Sequence, residues 1–197
     1  FLCKQQDLLE TKLLKIYQKL KIKKKIVSIK KDTTSVIETI SFAKKYIKSN
    51  EQALICHPDN INLFFSKNDL HKKLKTPNAD GLLFAYDEDS QTNTSETHTG
   101  RVIMKNDLIS EIIEKTIKTK NSKTLAGIYH FSKWSDFLKY SKKTIKNQPP
   151  IRGRHFVAQV YNEYLKDNKK ISIFNIKRHV TFGLVPYINE YNFWYKY

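Results

Sequence analysis

Ala53-Leu-Ile-Cys56 is an apolar run closed by a breaker pair, His57-Pro58, and followed at once by Asp59 and Asn60. No other stretch constrains the chain as tightly. A short apolar run bounded by turn residues reads as a strand buried on both faces, the kind found inside a helix-covered sheet. In open α/β sheets ligands bind outside the carboxyl ends of the strands. A carboxylate just past that end, beside an amide, suits a Mg2+ ion shared with phosphate. Mg2+ takes one or two carboxylates and leaves its other positions to water and phosphate oxygens. Asp and Asn are also ordinary turn residues, so this spacing alone leaves a plain turn open.

The sequence before this run alternates strand and helix. Phe1-Leu-Cys3 reads as the end of a strand. Asp7 to Lys21 places Leu9, Leu13, Ile16 and Leu20 at helical spacing, and the basic run Lys21 to Lys25 follows as a solvated loop. Ile26 to Ile29 is a short strand. Asp32-Thr-Thr-Ser35 offers capping groups for a helix from Val36 to about Lys48. With Ala53–Cys56 this makes the strand–helix rhythm of a parallel sheet with crossover helices.

Further along, Asn68 to Leu74 reads as a short polar helix and Pro77 to Gly81 as a turn. Gly81 to Tyr86 is a buried strand, and Asp87 to Thr99 a mobile polar loop. Gly100–Met104 and Leu108–Glu114 form a hairpin around Lys105-Asn-Asp107. Leu125 to Phe131 is a strand, Lys133–Lys146 and Phe156–Lys166 are amphipathic helices, and Ile171 to Ile176 is a last strand. The aromatic-rich end, Gly183 to Tyr197, begins with a helix after Pro186 and serves as core or subunit contact.

With 197 residues, 40% hydrophobic and 12% aromatic, the chain can bury one sizeable core, so a single domain over 1–197 is expected. Nothing approaches the length of a membrane-spanning apolar run, so no membrane insertion is expected. Cys3 and Cys56 lie beside apolar residues and read as reduced core thiols of a cytoplasmic protein. The net charge of +17 invites a nucleic-acid reading. Lysine is spread over the whole chain, however, and arginine is confined to Arg101, Arg152, Arg154 and Arg178, whereas base readers lean on arginine. His57, His130, His155 and His179 lack the spacing of a helical zinc motif. No Gly-x-Ser-x-Gly segment supports a serine hydrolase.

The order of several motifs resembles the sugar-nucleotide pyrophosphorylases, nucleotidyltransferases of GT-A-like, Rossmann-like α/β fold with a three-layer mixed sheet and helices on both faces. Lys31-Asp-Thr-Thr-Ser-Val-Ile-Glu-Thr-Ile40 is similar to the family's loop and helix near the nucleotide. Asp59 stands where the family keeps its metal-binding Asp. Ile109-Ser-Glu-Ile-Ile-Glu-Lys115 resembles its Glu-Lys pair, Ala126-Gly-Ile-Tyr-His-Phe131 its Gly-Ile-Tyr strand, and Phe182-Gly-Leu-Val-Pro186 its closing Gly-Thr-Pro segment. Arg152-Gly-Arg-His-Phe-Val-Ala-Gln-Val-Tyr-Asn-Glu163 is similar to a segment of capsule and surface-polysaccharide members.

The resemblance implies that Asp59 holds Mg2+ and that Thr33 and Asn60 lie by the substrate. It also implies that Glu114 and Lys115 meet a phosphorylated acceptor and its phosphate, with Gly127 and Arg154 beside them. Read as residues alone, Glu114-Lys115 is ordinary surface charge, Gly127 a bulge, and Arg154 a solvated cation.

Three departures qualify the resemblance. The Gly-rich loop that cradles a triphosphate is absent, and is expected in sequence preceding Phe1. Arg154 replaces an acidic residue, which favours an acceptor bearing carboxylate or phosphate. A second metal-binding Asp is not evident near Thr181-Phe-Gly183.

The implied reaction couples an NTP, with CTP preferred, to a phosphorylated acceptor with release of pyrophosphate, for capsule or surface polysaccharide, in a chain that can form a homo-oligomer. A GT-A glycosyltransferase is the first alternative and predicts a second acidic ligand beside Asp59, where Asn60 stands. A basic nucleic-acid-binding module is the other, and predicts lysine and aromatic residues gathered on one face.

Overall fold

The computed structural model describes residues 1–63, 67–75, 78–87, 99–116, 119, 121–183 and 185–196. Its axis is β8 (Ser122–Phe131), the longest strand, buried from Thr124 to Phe131. Along one edge runs β5 (Gly81–Tyr86), antiparallel, with β9 (Ile171–Asn175) parallel beyond it. Two strands divide the opposite edge. Ser122–Thr124 pair with β6 (Gly100–Lys105), and Ile128–Phe131 pair with β3 (Ala53–Cys56). A hairpin joins β6 to β7 (Leu108–Glu114), completing a six-stranded mixed sheet. Its turn holds Asn106 and Asp107 at φ 50° and 61°, the left-handed backbone that a tight hairpin needs and that Asn and Asp tolerate.

Strand alternation sorts the core into two layers. Leu83 and Ala85 of β5 join Leu125, Tyr129 and Phe131 of β8 on one face. Leu82 and Phe84 join Ala126, Ile128 and Phe174 on the other. The first face is covered by α3 (Val36–Ser41), α5 (Trp134–Asn147) and α6 (Val160–Lys166), and the second takes Leu70 and Leu74 of α4 (Lys67–Lys75). Trp134, Phe137 and Tyr140 recur along one stripe of α5 and are at most 1% exposed, worth about 2 kcal/mol of apolar burial each. The Tyr161 hydroxyl donates to the His130 carbonyl at 2.8 Å and ties α6 to the sheet.

Two small sheets flank this body. β1 (Leu2–Lys4) and β2 (Val27–Ile29) pair in parallel, and β4 (Asn60–Leu63) pairs antiparallel with β10 (Arg178–Thr181). The chain ends with α7 (Val185–Trp194).

The three-layer mixed sheet matches the fold expected from the sequence, and several local expectations are corrected. β3 is an edge strand paired antiparallel to β8, not a parallel strand buried on both faces, and Leu54 is 46% exposed. Its apolar run reflects one buried side and one open one. Cys56 is a free, exposed thiol rather than a core residue, whereas Cys3 is free and buried. The helix expected over Asp7 to Lys21 is broken into α1 (Gln5–Glu10) and α2 (Leu13–Lys19), because Thr11 turns extended and its hydroxyl accepts the Leu13 amide at 3.1 Å. Strands β4 and β10 were not expected. Phe64, Phe65, Leu184 and residues 88–98 of the polar loop lie outside the described residues.

Candidate active site

β8 changes partners in mid-strand. Between Thr124, which pairs with Arg101, and Ile128, which pairs with Cys56, Leu125, Ala126 and Gly127 have no strand neighbour on that edge among the described residues. A cavity of about 300 Å3 opens there, with Leu125, Gly127 and Tyr129 on its floor. Opposite Phe84 the register of β5 against β8 slips, and Gly127 sits in this bulge at φ +70°. Here the bulge turns the strand at the cavity rather than marking a defect.

One wall follows β3. The His57 amide donates to the Gly127 carbonyl at 2.9 Å, which carries the chain directly into Asp59 and Asn60. The Asn60 amide and the His57 ring fill the space where a Gly127 side chain would stand, with Asn60 Nδ2 at 2.6 Å and His57 Nδ1 at 3.1 Å from an ideal Cβ. Asn60 pairs with Thr181 across β4 and β10, and the Phe182 amide donates to the Asp59 carbonyl at 2.7 Å. These bonds bring Thr181 and Gly183 against Asp59. A Cβ on Gly183 would stand 2.9 Å from Asp59 Oδ2.

The facing wall comes from the hairpin. Gly100 pairs with Glu114, whose carboxylate packs against the bare Cα of Gly100. Glu114 is only 7% exposed. Burial pushes its carboxyl up to about 7, against the pull of the neighbouring Lys115. Lys115, just past β7, has φ 57°, a conformation costly for a lysine, and its amine lies 5.2 Å from the centroid of the Phe156 ring. The Lys115 amide donates to the Thr99 carbonyl at 3.0 Å. The Thr99 hydroxyl oxygen is buried without a hydrogen-bond partner among the described residues.

Two histidines line the first wall. Burial lowers the pKa of His57, and Lys115 lowers it further while Asp59 opposes. His179 falls to about 4, mainly through burial, with Asp59 opposing and His57 assisting. Its ring stacks on Tyr86 at 4.8 Å and its Nδ1 lies 2.8 Å from Asn62 Oδ1. Both imidazoles are therefore neutral near pH 7.

Of the residues singled out by sequence, Asp59, Asn60, Glu114, Lys115 and Gly127 line this one cavity. Thr33 and Arg154 are not in its lining. The Thr33 hydroxyl is held by the Thr39 hydroxyl at 2.6 Å, which turns it onto its own helix, while Ser35 caps that helix and Val36 reaches the cavity. Arg154 is exposed in a tight turn closed by a bridge to Ile151. His57, Thr99, His179 and Thr181 were not singled out as site residues. His57 looked like a strand breaker, Thr99 and His179 come from distant sequence with no local signal, and Thr181 lies in the stretch where a second metal-binding Asp was sought.

The donor set fits one loosely held hard cation. A single carboxylate, Asp59, stands with the Asn60 amide and the Thr181 hydroxyl, against a glycine that leaves room beside it. That is the oxygen-rich, partly open set that suits Mg2+ shared with phosphate. Among the described residues no group of three or more His, Cys, Asp and Glu side chains could hold a metal on its own.

No protein-family model and no curated protein matches the chain. Solved structures do match its fold. A nucleoside-diphosphate-sugar pyrophosphorylase from Vibrio cholerae superposes with a TM-score of 0.73 at 17% identity, over 95% of this chain and 77% of that one. A protein from Bacillus anthracis described as a glucose-1-phosphate thymidylyltransferase gives 0.63 at 17% identity, over 86% of this chain and 64% of its own. The inositol-1-phosphate CTP transferase of T. maritima gives 0.66 at 13% identity, over 96% and 71%. The chain thus has the Rossmann-like mixed α/β fold of nucleotidyltransferases.

Proposed function

We propose that this protein is a nucleotidyltransferase that joins an NTP to a phosphorylated acceptor and releases pyrophosphate. The observation that carries this reading is the cavity itself, with Asp59 and Asn60 on one wall facing Glu114 and Lys115 on the other across the open edge of β8. The likeness of fold to pyrophosphorylases supports it.

In this reaction an acceptor phosphate oxygen attacks the α-phosphorus. The bond from that phosphorus to the bridging oxygen breaks, and pyrophosphate leaves with the electron pair. Positioning and charge neutralisation supply most of the rate enhancement. Lys115 neutralises the acceptor phosphate, and Glu114 meets the acceptor's hydroxyls at the buried end of the cavity. Asp59, Asn60 and Thr181 would hold Mg2+, which would supply positive charge against the phosphates. His57, its pKa lowered by burial, stands on the same wall as Asp59 and adds no positive charge there.

CTP is the preferred nucleotide on this reading, in keeping with the fold shared with the T. maritima CTP transferase. A product feeding capsule or surface polysaccharide, made in the cytoplasm where NTPs are, completes it.

The test is pyrophosphate release by the full-length protein with Mg2+, across the common NTPs and a panel of sugar, polyol and amino-alcohol phosphates. Release that requires one NTP and one acceptor, and is lost in Asp59→Ala, is expected. A folded protein that neither binds an NTP nor releases pyrophosphate overturns the proposal.

A further inference from the structure

The segment 5–25 carries a surface that the cavity does not use. Neither α1 nor α2 contains a buried residue. Leu9, Ile16 and Ile22 are 76%, 56% and 59% exposed, and Leu14 and Leu20 are also open to solvent. Seven lysines and no acidic residue occur between Lys12 and Lys25. Lys24 is drawn back to the Gln18 and Leu20 carbonyls, and Lys25 lies 4.3 Å from the centroid of the Tyr46 ring. Lys12, Lys15, Lys19, Lys21 and Lys23 point to solvent, and no ion pair with a described carboxylate holds them. On α2, Lys15 and Lys19 recur at i and i+4 along one side, with Lys12 at the helix N-cap, bordered by Ile16 and Leu20.

We propose that this strip docks the protein on an anionic lipid surface. Exposed aliphatic side chains interleaved with unpaired lysines suit the boundary between headgroups and acyl chains. There the apolar groups enter and the lysine stems reach back to the phosphates. Charge complementarity selects this occupant. A symmetric contact with a second copy would set the lysine strip against itself. A nucleic acid would match the charge but gives Leu9, Ile16 and Ile22 nothing to bury against. The strip's one aromatic residue, Tyr17, is already stacked on Phe1 with ring centroids 4.2 Å apart. The docking is peripheral, since no described helix is long and apolar enough to cross a membrane. It is independent of the catalytic reading and stands or falls without it.

Flotation of the full-length protein with phosphatidylcholine vesicles, with and without phosphatidylglycerol, tests the proposal. Binding only to the phosphatidylglycerol vesicles, weakening as salt rises, is expected. Each Lys→Gln change at 12, 15, 19, 21 or 23 should weaken binding about fivefold, and the five together should abolish it. Ile16→Ser with Ile22→Ser should weaken binding at every salt concentration. The exposed control pair Lys142→Gln and Lys146→Gln should leave it intact. No binding to phosphatidylglycerol vesicles overturns the proposal, as does equal loss in the control pair. So does full binding by the double Ile variant with release by single-stranded RNA, which would assign the strip to nucleic acid.

Discussion

The Asn60 amide nitrogen stands 2.6 Å from the point that a β-carbon on Gly127 would occupy. The residue after the proposed metal ligand thus rests directly on the one bulged position of the central strand. Gly127→Ala adds a side chain to a left-handed backbone and drives it into Asn60 and His57. A loss of about 1–3 kcal/mol in urea unfolding is expected, with turnover down at least tenfold. Adding Asn60→Ala should recover part of the stability and none of the activity, a coupling that a double-mutant cycle reads directly.

Glu114 makes stability depend on pH in a defined window. Its carboxyl is raised in the folded protein to about 7, so the folded state holds the proton longer than the unfolded chain does. The resulting stability is fully present below the ordinary glutamate range and is lost as pH climbs to about 7, a span worth about 3 kcal/mol. Glu114→Gln cannot ionise. Urea titrations from pH 5 to pH 8 should show the variant gaining on the wild type as pH rises.

His179 works in the opposite direction. Its folded pKa is depressed to about 4, below that of an unfolded histidine. The unfolded chain therefore takes up the proton first. Stability present above about 6.5 is lost as pH falls toward 4, on the order of 2 kcal/mol for this partly exposed ring. His179→Gln should flatten the acid limb of a thermal-unfolding profile over that range.

Lys115→Met tests which substrate the amine serves. Removing a charged hydrogen-bond donor from a phosphate costs roughly 10–100-fold in binding. The expected result is a rise of that size in KM for the phosphorylated acceptor, with the KM for NTP little changed. Equal increases in both would place the amine on the triphosphate instead.

Legibility of the chain followed the range of the forces involved. The β6–β7 hairpin, β5, β8 and α5 were readable because each carries its own periodicity and turn residues. β3 was located correctly but placed wrongly in the sheet. Four apolar residues show that a strand buries something, and only the distant β8 decides on which edge and in which direction. β10 is short and polar, and takes its strand form from pairing with β4, over a hundred residues away. Asp59, Asn60, Glu114, Lys115 and Gly127 could be picked out by motif because each sits at a strand end or bulge. Thr33 and Arg154 belong to motifs of the same kind, but a hydroxyl contact with Thr39 of its own helix and an exposed turn keep them out of the cavity lining. His179 and Thr99 reach the cavity only through tertiary pairing, which leaves no trace in neighbouring residues, whereas Thr181 adjoins the Phe182–Pro186 segment that the resemblance had marked.

The mid-strand exchange of partners along β8 has a consequence for discrimination. Both walls of the cavity hang from one continuous backbone, a few residues apart, so their separation is fixed by peptide geometry and ladder register rather than by loop flexibility. Such a site gauges ligand length as a caliper does. A molecule one bond too long cannot be accommodated by spreading the walls without tearing hydrogen bonds from β8. On the proposed function, the span between the two anionic groups of the bound substrates would be set by the sheet, while the chemistry of whatever lies between them is left to the side chains of the hairpin.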